Sequence, residues 1–176
     1  VAIDQREFRN VLGQFATGIA IVTATVEGNR IGATISSFNS VSLDPPLVLF
    51  SMANKSLSLP QWKAAQAMAI FVLGEHQSEL SNRFARAGGD KWSGLDGALT
   101  GNGSPALPGA IAQFECKPYA TYAGGDHEIF ICEVTRFAAT ATATRPLIFH
   151  AGKYANLKPT ETVQAPPEVD VWLHGW

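Results

Sequence analysis

The chain has 176 residues, 46% of them apolar and only 16% charged, with thirteen lysines and arginines against fifteen acids for a net charge of −2. That suits one domain around one substantial core, and a near-neutral balance without a basic stripe excludes nucleic acid as a partner. The apolar run Met68 to Leu73 is too short for a membrane span.

In chain order, Asp4 and Glu7 form a capping-box-like start, and Phe8, Val11, Leu12 and Phe15 follow at helical spacing, which predicts a helix from about Gln5 to Gln14. The period then changes. Ile19 to Val26 reads as a strand, Glu27-Gly28-Asn29 as a turn and Ile31 to Ser36 as the returning strand. Ser37 to Pro46, rich in serine and closed by two prolines, reads as an irregular crossing segment, and Leu47 to Met52 as a buried strand. Leu59 to Gln66 predicts a short helix with proline at an early position, Met68 to Leu73 a strand, and Ser78 the cap of a helix burying Leu80, Phe84 and Ala87. Residues 88–103 hold six glycines and read as a long surface loop.

Two strands, Ile111 to Tyr122 and Ile129 to Ala138, flank the turn Ala123-Gly124-Gly125-Asp126-His127. The Ala/Thr alternation from Ala138 to Thr144 reads as a strand end plus turn, and a last strand runs from Leu147 to Tyr154. Residues 1–156 thus form a single domain, and 157–176, with Pro159, Pro166 and Pro167, an extended tail. Six or seven strands, peripheral helices and no repeated strand–helix–strand rhythm predict a mainly β barrel over a doubly wound sheet. Low charge with ample apolar surface points to an oligomer.

Several chemistries lack their residues. No G-x-S-x-G elbow or Walker loop occurs, and Gly101-Asn102-Gly103 runs into Pro105, which forbids the helix a dinucleotide loop must open. The four histidines (76, 127, 150 and 174) lack zinc-site spacing, so no metal is expected. Cys116 and Cys132 cannot make a disulfide framework and read as buried, inert thiols. Val1-Ala2-Ile3-Asp4 is not a basic-then-apolar leader, so a cytoplasmic protein is expected.

The informative stretch carries hydroxyls at Thr34, Ser36, Ser37, Ser40 and Ser42, across a strand end and the following loop. Small hydroxyls and backbone N–H groups on one concave edge suit an anionic or amide-rich planar ligand. The alternative is a solvated corner where serine is simply turn-compatible.

The pattern Gly32-x-Thr34-x-x-Ser37-Phe38-x-Ser40-Val41-Ser42-Leu43-Asp44-Pro45-Pro46-Leu47-Val48 closely resembles the signature of the flavin reductase family, the reductase components of two-component flavin-dependent monooxygenases. The resemblance extends to Asn54-Lys55-Ser56, Ser81-Asn82-Arg83-Phe84-Ala85, Gly125-Asp126-His127 and Pro146-Leu147-Ile148-Phe149-His150-x-Gly152-Lys153-Tyr154, and so covers Phe8 to Tyr154. Ser36 departs from it, standing where many relatives carry Asn. The tail after Leu157 matches no part of the pattern.

The resemblance implies an FMN-binding split β-barrel of Greek-key character, assembled as a homodimer. It implies reduction of free FMN or FAD by NADH or NADPH, and release of reduced flavin to a separate monooxygenase. On this reading Thr34, Ser36 and Ser37 face the ribityl chain and pyrimidine edge of the flavin, with Ser40, Ser42 and Asn54 beside them. Lys55, Ser56 and Arg83 would hold the phosphate, where cationic donors suit an anion; ordinary surface charge is the alternative for Lys55 and Arg83. Phe84 is expected as helix core, with a flavin contact as the alternative. Gly125 and His127 occupy a turn at the barrel mouth, and His127 is the candidate catalytic residue, positioning nicotinamide or donating a proton. His150 and Tyr154 either close the pocket or pack structurally, and His76 and His174 are assigned to the surface. A non-catalytic flavin carrier or electron-transfer module on the same barrel is the competing function.

Overall fold

The computed structural model describes residues 2–140 and 144–158. The tail beyond residue 158, with Trp172, His174 and Trp176, and the middle of the Ala/Thr tract at 141–143 lie outside the described residues.

Helix α1 spans Gln5–Leu12, and the Asp4 carboxylate accepts from the backbone N–H of Arg6 and Glu7 at 2.8 Å each. That satisfies two donors a helix start otherwise leaves open. None of its residues is buried. The strands are β1 (Thr17–Gly18), β2 (Ala20–Val26), β3 (Asn29–Ile35), β4 (Asn39–Leu43), β5 (Pro46–Ala53), β6 (Met68–Val72), β7 (Ala112–Gly124), β8 (His127–Ala139), β9 (Ile148–His150) and β10 (Lys153–Ala155). Helix α2 (Leu59–Ala64) follows β5, and α3 (Ser78–Ala85) follows β6. Seven strands form one antiparallel sheet in the order β3-β2-β6-β7-β8-β5-β4, and β1-β9-β10 form a small second sheet. The protein is therefore mainly β with few helices, as the strand pattern predicts; edge strands β3 and β4 are not paired with each other.

Two apolar clusters flank the centre of the large sheet, and strand alternation sorts residues between them. From β2, Ala20, Val22, Ala24 and Val26 enter one cluster and Ile21 the other; from β6, Met68 and Ile70 go one way and Ala69 and Phe71 the other. Burial on both faces is why these strands read as continuous apolar runs. Ile31 and Ile35 of β3 share a cluster with Val48 and Phe50 of β5, near the opposite edge, so the sheet curls around it. Phe50 stacks on Phe130 at 5.1 Å and meets Trp62 edge-on at 6.2 Å; truncating such a ring to alanine costs roughly 3–5 kcal/mol. Cys116 and Cys132 are buried here as free thiols, and burial pushes both pKa values up.

Four expectations are corrected. Ser78 is the first residue of α3 and makes no side-chain cap, with Gln77 before it, and Ala87, expected on the buried face, is exposed beyond the helix end at Ala85. Asn39–Leu43, expected as irregular crossing chain, is a strand paired with β5, with a bulge between Ser40 and Ser42. Serine does not exclude an edge strand, whose outer face is solvated. The single strand expected over Leu147 to Tyr154 is a hairpin, because Ala151 (φ +48°) and Gly152 (φ +77°) turn the chain. Helix α2 stops at Ala64, before the expected Gln66, because Ala65 is extended.

Candidate active site

Strand β8 begins at His127, which lies opposite Ala53, the last residue of β5. The β7–β8 hairpin therefore ends beside Asn54-Lys55-Ser56. Gly125 takes φ +70°, the left-handed geometry of a two-residue turn. Asn54 clamps that turn twice: its backbone N–H donates to the Asp126 carbonyl at 2.9 Å, and its side-chain amide donates to the Gly125 carbonyl at 3.1 Å. The segment expected to bind phosphate and the segment carrying the candidate histidine are thus held together.

His127 Nδ1 lies 2.7 Å from the Asp126 carboxylate, and its side chain is 43% exposed. The hydrogen bond to His127, and then its charge, hold the Asp126 carboxyl below the usual carboxylate range, with Lys55 adding a smaller pull. An ionised carboxylate only accepts, so Nδ1 carries the proton and Nε2 is left for another group.

Beside this corner lies a cleft of about 560 Å³, whose lining includes Arg30, Ile31, Gly32 and Thr34 of β3, Lys55 and Ser56, and Phe84, Arg86, Lys91 and Trp92 from the end of α3 and the segment after it. Its lining carries four cations and no carboxylate. Lys91 is spent on structure: its ammonium donates to the carbonyls of Gly32 and Phe84 at 3.1 Å each, and burial lowers its pKa. Phe84 is 1% exposed, meeting Trp92 edge-on at 5.0 Å, which favours the core assignment although its ring also borders the cleft. Gly32 is required by this packing, since a Cβ there would lie 2.5 Å from the Phe84 ring.

The expected site residues are not all brought together. Thr34, Lys55, Ser56 and Phe84 share the cleft, and Asn54, Gly125 and His127 form the adjoining corner. Ser37 does not line the cleft; its hydroxyl oxygen accepts from the backbone N–H of Ser51, which lies opposite Ile129 on β8, at 2.9 Å. The Thr34 hydroxyl donates to the Ser81 carbonyl at 2.6 Å. Tyr154 bonds the Ser81 hydroxyl at 2.8 Å and Asn82 at 3.0 Å, so its hydroxyl is engaged in joining β10 to α3. The Ser56 hydroxyl meets that of Ser58, which accepts the Trp62 indole N–H at 3.0 Å.

Ser36 is exposed and lines a different groove with Leu12, Phe15 and Phe149. Ser40 and Ser42 lie on β4, away from the cleft lining. Arg83 does not line the cleft; its guanidinium donates to the Ser93 carbonyl at 2.9 Å, and Arg86, three residues later in extended backbone, is one of the cations that do. His76 and His150 are exposed. Arg30, Arg86, Lys91 and Trp92 were not singled out in the sequence: Arg86, Lys91 and Trp92 sit in the glycine-rich chain after α3, which mixes cations with Asp90 and Asp96, and Arg30 sits in the strand after the first turn. Among the described residues, no group of three or more His, Cys, Asp or Glu could hold a metal, and no helix is long and apolar enough to cross a membrane.

Hydroxyls, a cation-lined cleft and an exposed, carboxylate-held imidazole suit an anionic planar ligand and a second ring placed against it. Known proteins agree with that chemistry. The chain is 44% identical over 151 residues to the FMN reductase (NADH) SmoA of Agrobacterium fabrum, covering 86% of this chain and 85% of that one. It is 39% identical over 168 residues to the flavin-dependent monooxygenase reductase subunit HsaB of Rhodococcus jostii, covering 94% and 84%. The crystal structure of nitrilotriacetate monooxygenase component B from Mycobacterium thermoresistibile superposes with a TM-score of 0.90 at 37% identity, covering 96% of this chain and 94% of that one. Residues 12–158 match the family described as flavin reductase like domain, and the chain belongs to the flavin reductase family.

Proposed function

We propose that this chain is an NADH-dependent flavin oxidoreductase that takes free FMN or FAD as a substrate and passes the reduced flavin to a separate flavin-dependent monooxygenase. SmoA is named an NADH-dependent FMN reductase and HsaB a monooxygenase reductase subunit, and both align over most of their length. The observation that carries the reading is the double clamp of Asn54 on the Gly125-Asp126 turn, which sets Lys55 and Ser56 beside His127.

The flavin supplies the redox chemistry, accepting hydride from the nicotinamide. Lys55 and Ser56 hold the flavin phosphate through charge-assisted contacts. Asp126 fixes the His127 proton on Nδ1, so Nε2 accepts a hydrogen bond from the nicotinamide carboxamide. Orienting two bound rings in this way requires no strong acid or base. Thr34, which lines the cleft, retains acceptor capacity on its hydroxyl after donating to Ser81.

The finer architecture belongs to the same proposal: residues 1–156 form one split-barrel domain that works as a homodimer. Phe8, Val11, Leu12 and Phe15 on and after α1, with Leu43 of β4, are exposed apolar residues that a second copy covers. Two free buried thiols suit a reducing, cytoplasmic setting.

The test is steady-state loss of NADH absorbance with increasing FMN or FAD. Saturable, flavin-dependent turnover is expected. A protein that binds flavin yet oxidises no NADH or NADPH is a carrier, and that result overturns the proposal.

A further inference from the structure

The hydroxyl at the start of α2 is not spent on the helix. Ser58 occupies the N-cap, yet its side chain makes no capping bond, the contact that favours serine at this position. Its oxygen instead accepts the Trp62 indole N–H at 3.0 Å and lies 3.1 Å from the Ser56 hydroxyl. The frame around these three side chains is fixed. Trp62 is 1% exposed and meets Phe50 edge-on, and its backbone N–H donates to the Ser58 carbonyl at 3.0 Å. Ser56 is held through its own backbone, its N–H donating to the Ala53 carbonyl at 2.9 Å and its carbonyl accepting from Leu59 at 3.1 Å. Both serines line the cleft with Lys55.

In such a frame the remaining freedom is the order of the protons. An indole N–H only donates, and each hydroxyl has one proton to give. The two hydroxyls make no other hydrogen bond among the described residues, so one proton of the pair is left over. With an anion against Ser56, a single order satisfies every proton: Trp62 donates to Ser58, Ser58 to Ser56, and Ser56 to the anion. The reverse order leaves the Ser58 proton without an acceptor among the described residues and turns the Ser56 lone pairs toward the negative charge. Bonds that run in one direction polarise one another, so each donor strengthens the next.

We propose that Ser58 is a positioning residue that, anchored by the Trp62 indole, commits the Ser56 hydroxyl to donate and so selects phosphorylated flavins over riboflavin. The inference rests on the phosphate reading of Ser56 given above.

The affinities of FMN and riboflavin are measured by flavin fluorescence in the wild type, Ser56→Ala, Ser58→Ala and the double variant, with thermal denaturation to check the fold. Ser56→Ala is expected to weaken FMN about 10- to 150-fold, the loss of one charge-assisted contact. Ser58→Ala is expected to weaken FMN about 3- to 12-fold, as for one neutral hydrogen bond, and to leave riboflavin within about twofold. In the double variant the second substitution adds less than about twofold, because both act through one donor. A proton spectrum gives a second readout. The Trp62 indole N–H resonates further downfield with FMN bound than with riboflavin, and Ser58→Ala abolishes that difference. Equal weakening of FMN and riboflavin in Ser58→Ala makes Ser58 a support of the fold alone and overturns the proposal. Losses that multiply in the double variant, or an indole resonance that ignores the phosphate, overturn it too. Where Ser56→Ala weakens FMN selectively and Ser58→Ala does not, the relay alone fails. Where Ser56→Ala leaves FMN unchanged, the phosphate assignment fails and the relay falls with it.

Discussion

The 2.7 Å contact between His127 and Asp126 makes two side chains one unit. Because the Asp126 carboxyl titrates below its free value near ~3.9, the contact is complete above that range and is lost as pH falls through the lowered value. Removing the imidazole in His127→Ala therefore returns the Asp126 carboxyl to the ordinary range, measurable from its carbon-13 shift during an NMR titration. The same substitution raises the KM for NADH and slows flavin reduction, while flavin affinity stays within about twofold. Asp126 acts through the histidine as a positioning residue. In Asp126→Ala the nitrogen-15 spectrum of the His127 ring should show the proton moving from Nδ1 to Nε2. An unchanged ring spectrum contradicts the positioning role, and unchanged kinetics in His127→Ala makes the histidine a bystander.

At the scale of elements, Gly32 shows how strand β3, helix α3 and the cleft depend on one another. Gly32→Ala drives a methyl into the Phe84 ring, and overpacking of this kind costs roughly 1–3 kcal/mol. Thermal denaturation should show that loss, and Phe84→Leu in the same chain should recover part of it by opening space. Equal stability of Gly32→Ala and wild type contradicts the close packing. Most strands were legible because their residues alternate or run apolar, and the capped helix α1 because Asp4 and its apolar spacing are local signals. Strand β4 was not legible: Asn39 to Leu43 pairs only because β5 lies beside it, a tertiary effect that serine and proline conceal. Lys55, Ser56 and the histidine turn could be named from motifs, but the Asn54 clamp joins residues 71 apart in sequence. Arg86 stayed hidden because which cation turns into the cleft depends on how α3 ends, and Arg83 was the nearer match to the motif.

For the whole molecule, the apolar face of α1 is the feature a lone chain explains least. Phe15 is 78% exposed and Val11 63%, and they adjoin the apolar groove lined by Leu12, Phe149 and Ser36. A homodimer covering this face should bury upwards of ~2,000 Å². Sedimentation equilibrium is expected to give a dimer, with Phe15→Glu shifting it toward monomer; a stable wild-type species of 18.8 kDa at micromolar concentration contradicts it.

The central claim, that this chain moves electrons from NADH to a flavin it then releases, is tested most directly by anaerobic single-turnover mixing. Enzyme, FMN and NADH are combined without oxygen, the oxidised-flavin absorbance is followed, and the reaction is passed through an ultrafilter that retains the protein. The account predicts saturable bleaching that His127→Ala slows, with reduced flavin in the filtrate. Bleaching no faster than in protein-free solution, or reduced flavin that stays wholly with the protein, would contradict it.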